Sequence, residues 1–301
     1  LIIYIYITMN KHVAIIVGGT GQFGRILTKK LLKKNYFIII TTRSVNKSIK
    51  FFKKDKNLKI VHLDIFNKIK IEKLLKIYNP KFIFYFAGQS LPKLSFNKKK
   101  ETYQSNVIGC KNFLETIKKN KDSCKFINTS SCEIYGNTRK KITLLTKKKP
   151  VNPYGIAKLK SLEITKEFRY KYKLNTYNAI IFNTESFLRN KKFLIPKICL
   201  AAIKAKKFGA QTEFGNLNIS REWNWCEEQC DVLLKFIKKN PQDFILSNGK
   251  NFSAKEMLKF AFNFFNLNYQ KYIRTNKKFV RKKDIVSIHS DYKTCLKRNS
   301  I

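Results

Sequence analysis

Tyr154 and Lys158 stand four residues apart in Tyr154-Gly155-Ile156-Ala157-Lys158. On a helix that spacing puts both side chains on one face, one turn from each other. An ammonium beside a phenol favours the phenolate, so the pair reads as a base for work near neutral pH. A short loop upstream lies Thr129-Ser130-Ser131-Cys132-Glu133-Ile134-Tyr135-Gly136, where Ser131 and Glu133 arrive together at the end of an apolar run. A carboxylate two residues beyond a serine at a strand end suits acid–base chemistry. The plain alternative for Glu133 is a turn or helix-start carboxylate.

These residues need a scaffold. His12-Val13-Ala14-Ile15-Ile16-Val17 reads as a buried parallel strand. Gly18-Gly19-Thr20-Gly21-Gln22-Phe23-Gly24 and an amphipathic stretch from Arg25 to Lys34 follow it. Strand, glycine turn and helix are what a dinucleotide pyrophosphate requires: Gly18 for the tight turn, Gly21 for close backbone approach, Gly24 for helix–strand packing. The alternative is an ordinary strand-to-helix loop. Further strands are expected at Tyr36–Thr41, Ile60–Ile65, Lys81–Ala87, Phe126–Ser130 and Ala179–Asn183, with helices at Ile69–Tyr78, Tyr103–Lys118 and Pro153–Tyr172. Alternating strands and helices predict a Rossmann-type doubly wound parallel sheet, with ligands at the carboxyl ends of its strands. Arg43 follows the second strand, where an Arg suits a 2′-phosphate and an acidic residue would suit a ribose hydroxyl, so the cofactor leans to NADP. Its alternative is one more surface cation. Asp64, ending the third strand, is expected to reach the adenine.

The chain resembles the extended short-chain dehydrogenase/reductase family, and within it the GDP-mannose branch of the 4,6-dehydratases. The resemblance runs from about Met9 to Thr294. It is carried by Thr20-Gly21-Gln22, Ala87-Gly88-Gln89-Ser90, Ser131 to Gly136, Pro153 to Leu159, Phe182-Asn183-Thr184-Glu185-Ser186, Arg221-Glu222-Trp223 and Phe279 to Asp284. It implies a lyase converting GDP-mannose to its 4-keto-6-deoxy product through an internal hydride transfer. Tyr154 would take the 4-hydroxyl proton and Lys158 would hold the nicotinamide ribose. Ser131 would bond the C4 oxygen, and Glu133 would take the C5 proton. The resemblance assigns Gly18, Thr20, Gly21, Gln22, Phe23, Gly24, Arg43, Asp64, Ile65, Ala87, Gln89, Tyr154, Lys158 and Arg189 to an NADP cofactor. It assigns Ser90, Asn183, Glu185, Lys197, Arg221 and Arg281 to the substrate. It also implies a cytoplasmic homodimer or homotetramer. The chain departs from the family pattern at several positions. Ser131 replaces a Thr, Cys132 a Ser, and Thr184 and Leu91 each replace a His. The loop after Arg43 is short.

Residues 9–185 are expected to form the NADP-binding domain, with 226–262 returning to it. Residues 186–225 and 266–301 are expected to form a smaller α/β substrate domain. In that half Phe193–Lys206 predicts a helix, Gln211–Asn216, Ser220–Trp225 and Gln242–Ser247 predict strands, and Ser253 caps a helix through Phe265. Met9 sits where a glycine-turn protein would begin, so 1–8 are expected to be a non-native leader, and the far end to be clipped. At 301 residues and 44% hydrophobic, the chain can bury a real core. No run approaches the ~18 apolar residues of a membrane span. Seven cysteines without a C-x-x-C pair and three histidines argue for a reducing compartment and against a metal site. The formal charge of +44 would normally suggest nucleic acid or an anionic membrane, yet only nine of the 63 cations are Arg, and neither is expected as a partner. The lysines are scattered among Asn, Ile, Phe and Tyr, all with A/T-rich codons, and codon bias accounts for them. Another nucleotide-sugar dehydratase, epimerase or reductase of the same family is the alternative, and a basic nucleic-acid-binding protein and a non-catalytic cofactor sensor are the readings from other classes.

Overall fold

The computed structural model describes residues 12–138, 140–280 and 285–293. The expected leader 1–8, Arg281 and the end of the chain lie outside the described residues.

Strands and helices alternate through the first part: β1 (Val13–Val17), α1 (Gln22–Lys33), β2 (Phe37–Thr42), α2 (Val45–Ile49), β3 (Leu58–His62), α3 (Lys68–Tyr78), β4 (Phe82–Tyr85), α4 (Pro92–Ser95), α5 (Lys99–Tyr103), α6 (Gly109–Asn120), β5 (Lys125–Ser131), α7 (Pro153–Tyr172) and β6 (Thr176–Ile181). The remainder holds β7 (Thr184–Glu185), α8 (Leu194–Phe208), β8 (Thr212–Phe214), β9 (Ser220–Glu222), β10 (Asn224–Trp225), α9 (Cys226–Phe236), β11 (Asp243–Leu246), β12 (Asn251–Ser253), α10 (Ala254–Asn263), β13 (Ile273–Thr275) and β14 (Ser287–Ile288).

Seven parallel strands form the central sheet, in the order β11-β6-β5-β4-β1-β2-β3. This is the doubly wound α/β architecture, with the order reversing at β1 and β4. Every residue of β1 is buried, as a strand covered on both faces requires. Its alternation divides the core. Val13, Ile15 and Val17 pack with Leu75 of α3 and Phe113 of α6. Ala14 and Ile16 pack on the other face with Leu27 and Leu31 of α1 and Leu233 of α9.

The helix expected over 103–118 is broken. A π-helical turn, Gln104–Ile108, separates α5 from α6. The Tyr85 hydroxyl donates to the Ser105 carbonyl at 2.7 Å there, and a Cβ on Gly109 would collide with the same hydroxyl. A strand-borne side chain thus inserts into the helical ladder.

The expected return of 226–262 to the main sheet divides in two. α9 packs on α1 and β11 pairs with β6. β12 instead pairs antiparallel with β9, which pairs on its other side with β14. α10 buries Leu258 and Phe262 against Ile198 and Ala202 of α8, together with Phe214 and Ile273. The single strand expected over Ser220–Trp225 splits likewise, because β10 pairs with β7 while β9 belongs to the other sheet. Ser253 caps α10 with a reciprocal bond to Glu256. Among the described residues no helix is long and apolar enough to cross a membrane, and no group of three or more His, Cys, Asp or Glu could hold a metal.

Candidate active site

The carboxyl ends of β1, β4, β5 and β6 open onto one cavity of about 500 Å3. The glycine turn forms one wall. Gly18 has φ +77°, and a Cβ on it would stand 2.7 Å from the Ala87 backbone nitrogen. A Cβ on Gly24 would collide with the Gly19 backbone, so this glycine lets α1 sit against the turn. At Gly21 the space is open, with only the Gly18 carbonyl at 3.7 Å. Gly21, Gln22, Phe23 and Gly24, where α1 begins, all line the cavity, and a helix N-terminus there suits an anionic pyrophosphate. The Gln22 amide ties this wall to the segment after β6. Its Nε2 donates to the Thr184 carbonyl at 2.9 Å, and its Oε1 accepts from the Ser186 hydroxyl at 2.8 Å. Phe23 stacks on Phe86 at 5.7 Å.

The opposite wall carries the titratable groups. Pro153 occupies the first turn of α7 and Asn152 caps it, its Oδ1 accepting from the Gly155 N–H at 2.8 Å. The helix presents Tyr154 and Lys158 to the cavity from one face, both buried. Lys158 Nζ donates to the Thr129 carbonyl at 2.8 Å and lies 5.8 Å from the centre of the Tyr154 ring. The Ser131 hydroxyl neighbours the Tyr154 hydroxyl and acts to lower its pKa. Ser131 Oγ also accepts from the Glu133 N–H at 3.3 Å. Glu133 is buried, and its Oε2 accepts from Asn152 Nδ2 at 2.6 Å. Asn152 thus caps the helix that carries the tyrosine and holds the carboxylate opposite it. Sequence reasoning missed Asn152. Asn before Pro at a helix start signals a cap, but nothing local signals a bond to a residue 19 positions away.

The expected fall in the Tyr154 pKa is reversed in the protein alone. Burial pushes the phenol well above its ordinary value, and the nearby Glu133 and Cys132 add to the rise. The Ser131 hydroxyl offsets only part of it. Burial also drives Lys158 down to about 8. Full desolvation penalises both charged forms, so an ammonium–phenolate pair does not form by proximity alone. Cys132 is likewise pushed up by burial, and its thiol faces Asn183 Oδ1 at 3.9 Å.

The expected ligand-binding residues divide by position. Gly18, Thr20, Gly21, Gln22, Phe23, Gly24, Ser90, Asn183 and Arg189 line the cavity with Ser131, Glu133, Tyr154 and Lys158. Arg189 lies 3.5 Å from Glu185, without hydrogen-bond geometry, and its guanidinium sits over the Phe193 ring. Burial raises Glu185 to about 7 although Arg189 opposes the rise.

The other expected positions do not reach the cavity wall. Arg43 is exposed. Asp64 is exposed too, and its Oδ1 accepts from the Phe66 N–H at 3.0 Å, closing its own turn. Ile65 packs on the apolar core, and Ala87 backs Gly18 through its backbone. The Gln89 amide is spent on Leu91, donating to its carbonyl at 2.9 Å and accepting from its N–H at 2.5 Å. Lys197 donates to the Glu213 carbonyl at 2.5 Å between the Phe214 and Phe279 rings. Arg221 is buried and donates to the Ser220 carbonyl at 2.8 Å and the Val286 carbonyl at 3.4 Å. At Asp64, Gln89, Lys197 and Arg221 the side-chain polar atoms are engaged by the protein's own backbone. Arg25 and Phe51 line the cavity without having been anticipated.

A seven-stranded doubly wound sheet with a Ser–Tyr–Lys group set across from its glycine turn defines the class of extended short-chain dehydrogenases/reductases. Comparison with known proteins narrows this. The family profile described as GDP-mannose 4,6 dehydratase matches residues 15–300. GDP-mannose 4,6 dehydratase 1 of Arabidopsis thaliana is 25% identical over 310 residues, covering 95% of this chain and 83% of that protein. The GDP-mannose 4,6 dehydratase of Cricetulus griseus is 30% identical over 273 residues, covering 84% and 72%. The chain belongs to the GDP-mannose 4,6-dehydratase family. Among solved structures, a dTDP-glucose 4,6-dehydratase from Streptomyces venezuelae with NAD bound superposes with a TM-score of 0.83 at 18% identity, covering 95% of this chain and 90% of that one. The Thermus thermophilus UDP-glucose 4-epimerase in complex with NAD gives 0.83 at 14%, covering 95% and 92%. At such identities the likeness is one of fold.

Proposed function

We propose that the protein is a GDP-mannose 4,6-dehydratase that uses NADP and releases GDP-4-keto-6-deoxymannose. The observation that carries this reading is the convergence of Ser131, Glu133, Tyr154 and Lys158 on one cavity opposite the glycine turn. The cradle suits a nicotinamide dinucleotide: the turn cannot accept side chains at Gly18 or Gly24, and it leaves open space at Gly21. Gly18, Thr20, Gly21, Gln22, Phe23 and Gly24 would hold the pyrophosphate, and Lys158 and Arg189 the nicotinamide half. Such a cofactor supplies a hydride acceptor and donor and, when oxidised, a positive charge in the pocket.

The side chains have separate tasks. Tyr154 Oη takes the proton of the sugar 4-hydroxyl, and added positive charge in the pocket lowers its raised pKa toward that task. Ser131 Oγ donates to the C4 oxygen and keeps Tyr154 Oη aimed at it. Lys158, anchored on the Thr129 carbonyl, holds the ribose. Oxidation at C4 acidifies the C5–H bond, and Glu133 takes that proton as the C6 hydroxide leaves. Asn152 keeps the Glu133 carboxylate turned into the cavity. Ser90 and Asn183 contact the sugar, and Glu185, Lys197, Arg221 and Arg281 serve the nucleotide end. The assembly is a homodimer or homotetramer.

Incubation with GDP-mannose, dTDP-glucose, CDP-glucose and UDP-glucose, read by mass spectrometry, tests this. Loss of one water from GDP-mannose in preference to the others is the expected result. Preference for another base overturns the GDP-mannose assignment. Absence of water loss from every sugar overturns the dehydratase assignment.

A further inference from the structure

Arg25 is the fourth residue of α1 and immediately follows Gly24. No acidic residue stands in the first turn of this helix. A cation there works against the positive end of the helix dipole and gains nothing from it. The side chain leans over the Phe51 ring, with the guanidinium carbon 4.9 Å from the ring centre. Its Nε is buried and has no hydrogen-bond partner. Both Arg25 and Phe51 line the cavity. Arg169 and Arg189 each have a carboxylate beside them: Arg169 donates to Asp243 at 2.6 Å, and Arg189 lies 3.5 Å from Glu185. Among the described residues no carboxylate forms an ion pair with Arg25. A guanidinium N–H buried without an acceptor is costly unless an anion completes it.

Phe51 lies on the segment between β2 and β3, so the Arg25–Phe51 pair joins the helix that follows the glycine turn to the connection that follows β2. In a doubly wound sheet that is the adenosine side of a dinucleotide, and the pyrophosphate belongs to the peptide N–H groups of the turn. A phosphate monoester on the ribose carries close to two negative charges and presents oxygens that a guanidinium fork matches. Arg43, at the position where the sequence pattern places such a contact, is exposed and away from the cavity wall.

We infer that Arg25, braced on Phe51, binds the ribose 2′-phosphate and is the residue that sets preference for NADP over NAD. This rests on the proposed use of a nicotinamide dinucleotide. Fluorescence titration of the purified protein with NADPH and NADH, and competition by 2′,5′-ADP and 5′-ADP, test it without turnover. Arg25→Gln should weaken NADPH and 2′,5′-ADP about 10- to 100-fold and leave NADH and 5′-ADP within about 2-fold. Arg25→Lys should restore part of the loss, and Phe51→Leu should cause a smaller loss with the same selectivity. Equal weakening of NADPH and NADH would mean that Arg25 touches the pyrophosphate, and overturns the inference. An unchanged NADPH-to-NADH ratio in Arg25→Gln overturns it too, while the functional reading stands. Failure of the wild type to bind either dinucleotide overturns that reading as well.

Discussion

The two ends of the cavity are built on different terms. At the reactive end the key polar side chains are tied to other groups of the protein. Lys158 bonds the Thr129 carbonyl, Ser131 accepts from the Glu133 N–H, Glu133 accepts from Asn152, and Asn152 caps the helix that carries Tyr154. At the other end Arg25 rests on one ring with its Nε unpartnered, and Arg43 points into solvent. The reactive end is preorganised by the protein, so its geometry exists before any ligand arrives. The other end leaves its strongest donor for the ligand to satisfy. A site that must stabilise developing charge benefits from donors fixed in advance. A site that must choose between two cofactors benefits from a donor that only one of them can satisfy.

The contrast is broken most severely at Tyr154. Tyr154→Phe removes the proton acceptor and keeps the ring, and turnover should fall by about 1,000-fold or more. Formation of the 4-keto sugar, read by mass spectrometry, checks this; a phenylalanine variant within tenfold of wild type would remove Tyr154 from the chemistry. Glu133→Gln comes next. The amide can still accept from Asn152, so the fold should hold while elimination drops by about 100-fold. Solvent deuterium should then fail to enter C5, and full exchange in this variant would make Glu133 structural.

Asn152→Ala tests whether the reactive end depends on its supports. Loss of the cap should cost about 1 kcal/mol, read from thermal or denaturant unfolding. Release of Glu133 should also slow elimination by about tenfold or more. A stability loss without a rate loss would limit Asn152 to capping.

Glu185 sharpens the contrast through pH. Its folded pKa of about 7 exceeds the ordinary value of 4.5, so the folded protein holds this proton more tightly than the unfolded chain. The resulting stability is present below about pH 4.5 and is lost as pH rises toward 7, by up to about 3 kcal/mol. Glu185→Gln should flatten that slope in denaturant titrations at pH 5 and 7, and parallel slopes would contradict the burial argument. The smallest effect belongs to Arg43→Ala. NADPH affinity should change by about 3-fold or less, as expected of an exposed cation. A loss as large as that of Arg25→Gln would return the phosphate contact to Arg43.

Much of this was local enough for the sequence to determine. β1 is a run of small and β-branched residues that can only be buried on both faces, and the spacing of Gly18, Gly21 and Gly24 calls for a strand-to-helix turn. The four-residue step from Tyr154 to Lys158 follows from helical periodicity, and Pro153 together with Asn152 marks where that helix begins. Ser131 ends β5 and Glu133 lies in the helical turn directly after it, two residues on.

Tertiary structure decided the matters that depend on distant partners and on access to water. It turned the Gln22 amide to Thr184 and Ser186, more than 160 residues away, and joined Asn152 to Glu133. It split Ser220–Trp225 between two sheets, because adjoining short strands met different neighbours. It raised the Tyr154 pKa where adjacency to a lysine argued for a fall, since burial is a property of everything packed around a residue. It brought Arg25 into the cavity and left Arg43 outside. Sequence reports the charge of both arginines equally well, but only the folded chain determines which lines the cavity with a buried Nε left without an acceptor.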